Sequence, residues 1–571
     1  MDYKRVNQDF RNADVTVYGA LKEAADRYPA EPAIGFFGKK TSFAALIEDV
    51  ENTARALLQA GVRPGDAVTF MLPNCPQAVS VFYAISRVGA TANMIHTLSA
   101  QPEITYYLDK AHSRFLVTLD SFCPKALAAA AAAKDPDVTV IVTSVAEGMP
   151  LPLKLGFRLK NLKNRTPLPD APNVRLLGTL KKDGAGRALP DVAYDPDHTA
   201  AIFYSGGSTG MPKGIRLSDF NINSLGIQVA DAAGHRICPG TKFLSAMPLF
   251  HGFGLGVGIH TFICNGATCV LVPQFTLDAY VKTLLKEKTN MLAIVPSMLE
   301  AFLHTDAFDG KDLSFLQGIF CGADAVPVSL QERVNAFLKA HGCAEKVREG
   351  FGMTEAVTAC ILNPIENIRP GSVGLPLGDT RVRIVKPGTF EDLPAGEPGE
   401  MLLSGSVVMQ GYLDDPEANA KTLRKDGDVT WLFTGDMCYM DADGYVFFVQ
   451  RLKRLIITNG YNVSPGQAEQ IINAVPGVEA CCVVGVKDRL SGQRVTAVIV
   501  PKAGEDQKAL RRAVDAACRA SLAAYAVPTK YEFAGELPLT KMGKIDFTRV
   551  ERELNEKGEK KHAGRAESDL S

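Results

Sequence analysis

Along most of the chain, short apolar runs alternate with longer stretches in which apolar residues recur every three or four positions. Residues 138–143 (VTVIVT) and 267–272 (ATCVLV) are continuous β-branched and aliphatic runs, the pattern of strands buried on both faces of a parallel sheet. Residues 126–133, alanines interrupted only by Leu127, read as one helix, because alanine loses no side-chain entropy on entering a helix. The alternation predicts an α/β fold of mostly parallel sheets covered by helices. After about residue 450 the character changes. There, 480–485 (ACCVVG) and 496–501 (TAVIVP) read as two strands joined by a turn, and 507–522 reads as a helix, which together predict a small α+β domain. Residues 556–571 are mostly charged and small and read as a frayed tail.

Composition narrows the function classes. At roughly 150 residues per domain, 571 residues imply about three or four compact units. Hydrophobic residues at 46% and charged residues at 22% are ordinary globular usage, enough to bury a large core. Lys plus Arg (62) nearly cancel Asp plus Glu (63), which argues against a globally basic nucleic-acid binder. The 12 cysteines form no C-x-x-C pair, and Cys264 and Cys269 lack a second Cys or His pair to complete a zinc site. Reduced, mostly buried thiols of a cytoplasmic protein are expected. Residues 1–15 hold no apolar stretch of the signal-peptide kind, and residues 568–571 (SDLS) are not a peroxisomal Ser-Lys-Leu, in line with a cytoplasmic location.

Two segments bear on membranes. Residues 249–273 are rich in Gly, Val, Ile and Leu, but His251, His260 and Asn265-Gly266 interrupt them. The breaks predict buried strand and helix pieces rather than a span of about twenty apolar residues. Residues 154–165 (KLGFRLKNLKNR) carry five basic residues and no acid, with Leu155, Leu159 and Leu162 at i, i+4, i+7. As a helix this segment is a foot for weak peripheral contact with an anionic membrane at its inner face. As a solvated loop, which Gly156 and the flanking prolines favour, it has no partner.

The strongest local signal is 201–214 (AIFYSGGSTGMPKG). An apolar strand runs into Gly206, Gly207, Gly210 and Gly214, whose backbone N–H groups can converge on phosphate oxygens without Cβ clashes. Ser205, Ser208 and Thr209 add hydroxyl donors and Lys213 adds a positive charge. A Walker A loop needs Gly-Lys-Ser/Thr opening a helix; here Pro212 precedes Lys213 and Gly214 follows it. The loop closely resembles the phosphate-loop signature of the adenylate-forming superfamily, which includes acyl-CoA synthetases, peptide-synthetase adenylation domains and luciferases. Gly206 departs from it, standing where that family often has serine.

Further motifs carry the same resemblance, in order along the chain. Residues 348–355 (REGFGMTE) are similar to the family's G-[aromatic]-G-x-T-E segment. Gly350 and Gly352 flank Phe351, leaving a flat ring suited to stacking on a purine; Thr354 can donate to an α-phosphate and Glu355 can hold Mg²⁺ through an oxygen. Residues 318–324 (GIFCGAD) resemble the G-G-A strand end, which implies that Gly322 and Ala323 line the adenine and acyl pockets. Cys321 replaces the first glycine, either narrowing the pocket or serving as a buried thiol. Residues 431–436 (WLFTGD) are similar to W-x-x-T-G-D, and the Asp436 carboxylate can accept both ribose hydroxyls. Residues 441–448 read as a hairpin turning at Asp443-Gly444. It delivers Arg451, which the resemblance places beside the ribose and phosphates. Gln450 departs from the family's usual glycine.

The resemblance also implies a hinge pivoting at Lys453, where Arg454 departs from the common acid, and a thiol-side loop at Gly460 and Tyr461. Gln467 stands where glutamate is usual, whereas Glu469 keeps the later acid. Residues 537–546 (LPLTKMGKID) are similar to the catalytic lysine motif, with Lys544 at the matching position. The similarity covers nearly the whole chain. It implies a large N-terminal AMP-binding domain of several subdomains (1–452), a small mobile α+β lid (453–555) and a charged tail (556–571).

Residues 247–258 (MPLFHGFGLGVG) bear on the substrate. His251 lies in a Pro-Leu-Phe-His pattern like that of acyl- and aryl-CoA synthetases, with no aspartate nearby to hold an amino acid's ammonium group. Gly252, Gly254, Gly256 and Gly258 remove bulk at alternating positions. In a helix they would thin the wall of an acyl tunnel at Gly254 and Gly256, or else allow close packing. The expected activity is ATP- and Mg²⁺-dependent ligation of a carboxylic acid to coenzyme A through an acyl-adenylate, with release of AMP and pyrophosphate. Medium- or long-chain fatty acids are placed ahead of aryl acids, and an acyl carrier protein is the alternative acceptor. The intact Thr354, Glu355, Asp436, Arg451 and Lys544 argue against a nucleotide sensor that has lost catalysis.

Overall fold

The computed structural model describes residues 13–135, 137–161, 171–205, 212–274, 276–454, 456–458, 461–463, 465–488, 491–522, 524–540 and 544–568. The chain forms two compact units, one of Met1–Val382, Leu403–Leu432 and Gly444–Val446, the other of Arg383–Leu402, Phe433–Asp443 and Phe447–Ser571.

Two large sheets organise the first unit. The eight-stranded sheet has the spatial order Gly411–Tyr412, Lys213–Ser218, Thr199–Ser205, Thr91–Met94, Ala67–Met71, Phe115–Leu119, Thr139–Thr143, Val174–Leu176. Its last six strands are parallel and the first two pair antiparallel. Every residue of Phe115–Leu119 is buried, because helices cover both faces of a parallel sheet. The run at 138–143 supplies the strand Thr139–Thr143, and the alanine run lies in the helix Cys123–Ala131 and its C-terminal turn.

The nine-stranded sheet places Gly318–Cys321 between Met291–Ile294 and Val347–Phe351, all parallel, with Cys321 opposite Glu349. That register brings the turn after Cys321 beside the segment that follows Phe351. In open parallel sheets ligands bind outside such carboxyl ends. Residues 249–273 break into a π-helix (Phe253–His260), a short helix (Thr261–Cys264) and the strand Thr268–Leu271. Among the described residues no helix is long and apolar enough to cross a membrane. The described part of 154–165 belongs to a helix, Leu151–Asn161, rather than to a loop.

A five-stranded sheet has the order Arg381–Val385, Gly399–Ser404, Val429–Met440, Leu423–Asp426, with Val446–Arg451 also paired to Val429–Met440. The second unit ends in a sheet whose long strands Val478–Asp488 and Gly492–Pro501 pair antiparallel and are buried on both faces along 481–485 and 495–500. Alternation decides which face each side chain takes. Cys481, Val483, Val495, Ala497 and Ile499 pack with Leu510, Val514 and Cys518, whereas Cys482, Val484, Val498 and Val500 pack with Val550 and Leu554. The tail expected to fray is instead helical through Ser568, continuing the helix Phe547–Ser568. Its Glu, Lys, Arg and Ala are good helix formers, and Arg549 pairs with Glu553 one turn on. All 12 cysteines are free, and Cys238 is the exposed one.

Candidate functional site

Strands Thr199–Ser205 and Lys213–Ser218 pair antiparallel with Ser205 opposite Lys213, so the glycine-rich segment joins two strands of a hairpin, unlike the strand-to-helix turn of a Walker loop. Gly206, Gly207, Ser208, Thr209 and Gly210 lie outside the described residues, as does the side chain of Ser205. The half-exposed Lys213 ammonium sits 4.6 Å from the centre of the Tyr412 ring and 3.7 Å from Asp415 Oδ2. Tyr412 reaches it because the strand Gly411–Tyr412 pairs with Lys213–Ser218, placing Tyr412 opposite Ile215. Asn419 clamps both sides of the Tyr412 peptide: its Oδ1 accepts from Tyr412 N at 2.6 Å, and its Nδ2 donates to Tyr412 O at 2.9 Å.

The same ring reaches the Thr354-Glu355 segment. Tyr412 OH donates to Glu355 Oε1 at 3.0 Å. Burial first, then the neighbouring Glu355 carboxylate, push the Tyr412 phenol well above its ordinary range, so it stays a donor. One aromatic side chain thus sits under the cation and beside the carboxylate that the sequence motifs proposed separately. Tyr412, Asn419 and Asp415 escape sequence analysis, since a lone Gly-Tyr pair carries no local signature.

Thr354 and Glu355 open a tight 3₁₀ turn, Thr354–Ala356, and Glu355 O accepts from Met409 N at 2.9 Å. Val357 and Thr358 follow at φ +51° and +103°, a conformation that β-branched residues rarely adopt. The sharp turn drives the Thr358 carbonyl back onto Gly352, where an added Cβ would lie 0.9 Å from that oxygen. Glycine at 352 is therefore required by contact. Gly350 and Phe351 end the strand Val347–Phe351. Gly322 and Ala323 form the facing turn, with Ala323 held at φ +73°. Cys321 is a member of the hydrophobic core, and burial holds its thiol well above the usual range. Its neighbour Glu349 accepts from Val326 N at 3.0 Å, and burial raises its carboxyl to about 7.

His251 Nδ1 accepts from Phe253 N at 3.2 Å. Buried Asn74 pins the segment before it, donating to the carbonyls of Ser245 and Met247 and accepting from Leu249 N. The glycines of the π-helix mediate close approach: a Cβ on Gly254 would lie 2.0 Å from Pro248 O, and one on Gly256 would lie 2.6 Å from Leu225 Cδ2. These positions face packed protein.

In the second unit, Arg451 Nε lies 2.7 Å from Oδ1 of the fully buried Asp436. Within the strand Val429–Met440, the backbone before Asp436 is held by Thr434 Oγ1, which donates to Met401 O at 2.6 Å and accepts from Asp436 N at 3.1 Å. Buried Glu400 also accepts from Gly435 N at 3.2 Å. Thr434 belongs to a recognised motif, whereas Glu400 has no sequence signal. Lys544 is exposed, and its backbone O accepts from Thr540 N at 2.6 Å. Lys453 lies in the short turn Leu452–Arg454, its side chain outside the description. Beside it, Arg454 pairs with Glu469 at 2.5 Å, so the retained acid neutralises the departing base. Gly460 and the Tyr461 side chain lie outside the described residues.

Among the described residues no group of three or more His, Cys, Asp or Glu is arranged around a metal position. Mg²⁺ held by one carboxylate plus substrate phosphates needs no such group. Glu355, with Oε1 steadied by Tyr412, fits that pattern.

Comparisons with known proteins agree with this arrangement. The AMP-binding enzyme family matches residues 21–413, and the AMP-binding enzyme C-terminal domain matches residues 467–544. A long-chain-fatty-acid–CoA ligase of Bacillus subtilis (strain 168) is 33% identical over 96% of this chain and 95% of its own length. A feruloyl-CoA synthase of an Amycolatopsis species is 32% identical over 90% of this chain and 94% of its own. ATP-bound MatB from Rhodopseudomonas palustris superposes with a TM-score of 0.80 at 25% identity, covering 94% of this chain and 99% of that one. The anthranilate CoA ligase AuaEII, in complex with anthranoyl-AMP, shares the fold at a TM-score of 0.80 and 24% identity, covering 95% and 98% of the two chains. With the phosphate hairpin, the Thr354-Glu355 turn and both matched domains in one chain, the protein belongs to the AMP-binding enzyme family of the adenylate-forming superfamily, as an AMP-forming acyl-CoA synthetase.

Proposed function

We propose that the chain activates a medium- or long-chain fatty acid as its acyl-adenylate and passes the acyl group to coenzyme A. The observation that carries the adenylation step is Tyr412, which joins Lys213 of the phosphate hairpin to Glu355. The similarity to the Bacillus ligase favours an alkyl chain, and that to the feruloyl-CoA synthase marks the aryl alternative.

In the proposed first step a carboxylate oxygen attacks the α-phosphorus of ATP, the bond to the bridging β-phosphate oxygen breaks, and pyrophosphate leaves. Catalysis of such a transfer is mainly positioning and charge stabilisation. The hairpin from Ser205 to Lys213 holds the β- and γ-phosphates, Thr354 donates to the α-phosphate, and Phe351 stacks on the adenine. Asp436 and Arg451 hold the ribose, and Lys544 supplies a cation to the acyl carboxylate and α-phosphate. Mg²⁺ bound at Glu355 would neutralise phosphate charge. In the second step a thiolate attacks the acyl carbon and AMP leaves, after a hinge movement at Lys453 exchanges Lys544 for the loop at Gly460 and Tyr461.

Incubation with ATP, CoA and a panel of acids, followed by mass spectrometry, tests the substrate. Acyl-CoA, AMP and pyrophosphate from fatty acids ahead of cinnamic and benzoic acids are expected. Preference for aryl acids overturns the alkyl assignment, and carrier-protein loading without a CoA product overturns the acceptor. Lys544→Ala is expected to slow adenylation roughly 10²- to 10³-fold while sparing thioester formation from supplied acyl-adenylate. Equal losses in both steps would refute the exchange.

A further inference from the structure

The helix Leu151–Asn161 has no catalytic assignment and an unusual surface. Leu151, Leu153, Leu155 and Leu159 are 74%, 49%, 59% and 67% exposed. They are four of the eleven exposed large hydrophobic side chains among the described residues, concentrated on one helix of 11 residues. Leu151, Leu155 and Leu159 recur at i, i+4 and i+8 and so share one face. Among its described side chains only Lys154 and Phe157 are partly buried. A helix this short, with Gly156 in its middle, is marginal on its own in water and gains order when its apolar face is covered.

We propose that this helix docks on an anionic lipid surface, lying in the interface with Leu151, Leu155 and Leu159 toward the acyl region. Charge selects the occupant. The helix sequence carries Lys154, Arg158 and Lys160 and no acid, in a chain whose net charge is −1. Basic residues interleaved with leucines are the composition of an interfacial helix that reads negative headgroups. A second copy of the chain would set the same bases against one another, which like-charge repulsion disfavours. The surface contact is peripheral, since among the described residues no helix can cross a bilayer. It stands independently of the acyl-chain assignment above.

The test is co-sedimentation of the full chain with phosphatidylcholine vesicles, with and without phosphatidylglycerol. Binding to the anionic vesicles that weakens as salt rises is expected. Replacing Leu151, Leu155 and Leu159 together by Glu should lower that binding roughly tenfold or more, and Lys154→Glu with Arg158→Glu should do the same while keeping the leucines. Both variants should keep the parent's melting temperature and its pyrophosphate exchange with a short, water-soluble acid, which separates lost docking from lost folding. No binding by the parent, equal binding by the leucine variant, or salt-insensitive binding to neutral vesicles would each overturn the proposal. So would loss of a dimer on light scattering with vesicle binding unchanged, which would assign the face to a second copy.

Discussion

Glu349 and Asp436 are both carboxylates with almost no exposure, 3% and 0%, yet the protein accommodates them in different ways. Glu349 accepts from the backbone N–H of Val326 and has Asp324 nearby, and burial raises its carboxyl to about 7. Asp436 lies against the half-exposed guanidinium of Arg451 at 2.7 Å, in a strand braced by Thr434 and Glu400. Desolvation disfavours a buried charge, and either a proton or a countercharge can answer it. The proton leaves a group that supports the loop at Val326. The countercharge places a guanidinium against Asp436, the group proposed to hold the ribose.

The largest test of this contrast is pH. Glu349 titrates near pH 4.5 when unfolded and near 7 when folded. Its protonated form is the stabilising one, so its contribution is fully present below pH 4.5, is lost as pH rises to 7, and stays lost above. The loss is on the order of 3 kcal/mol. Glu349→Gln keeps an acceptor for Val326 N without the titration. Thermal melts of parent and variant between pH 5 and 8 should show the parent falling relative to the variant, and parallel profiles would refute the assignment. The second test uses function. Asp436→Ala removes Arg451's partner and should cost about 1.5–3 kcal/mol in ATP binding, roughly a ten- to hundredfold rise in KM, whereas Glu349→Gln should leave KM for ATP unchanged. If both variants shift KM alike, the two acids do not differ in role. The smallest effect concerns the acid steadied by a neutral donor. Tyr412→Phe keeps the ring beneath Lys213 but removes the hydroxyl from Glu355, a loss of about 1 kcal/mol, or roughly fivefold in kcat/KM. An unchanged kcat/KM would show that Tyr412 does not steady Glu355.

The legible parts of the fold were those with a strong local period. The strands Thr139–Thr143 and Thr268–Leu271, and the helix Gln507–Ser521 where 507–522 was expected, follow directly from apolar runs and spacing. The hairpin at the phosphate loop was half legible: the strand into it is apolar, but its return partner, Lys213–Ser218, opens with Lys-Gly and contains Arg216. Its strand character comes from pairing with both Thr199–Ser205 and Gly411–Tyr412. The tail at 556–571, expected to fray for its charge and small side chains, is helical through Ser568 because its residues favour helix. The glycines at 254 and 256 admit two explanations along the sequence; the atoms that crowd them, Pro248 O and Leu225 Cδ2, are set by the fold.

By itself the sequence determined the chemistry on offer: a glycine-rich phosphate loop with Lys213, the Thr354-Glu355 pair, Asp436, Arg451 and Lys544, all in an order that marks an adenylate-forming enzyme. Each is a local motif, and local motifs are what spacing along a chain can report. Only the tertiary structure decided which groups meet. It set Tyr412 between Lys213 and Glu355, gave Asn419 and Glu400 their bracing roles, and left the leucines of Leu151–Asn161 uncovered. The physical reason is that strand pairing and burial are settled by contacts between residues far apart in the chain, and no period along the sequence encodes them.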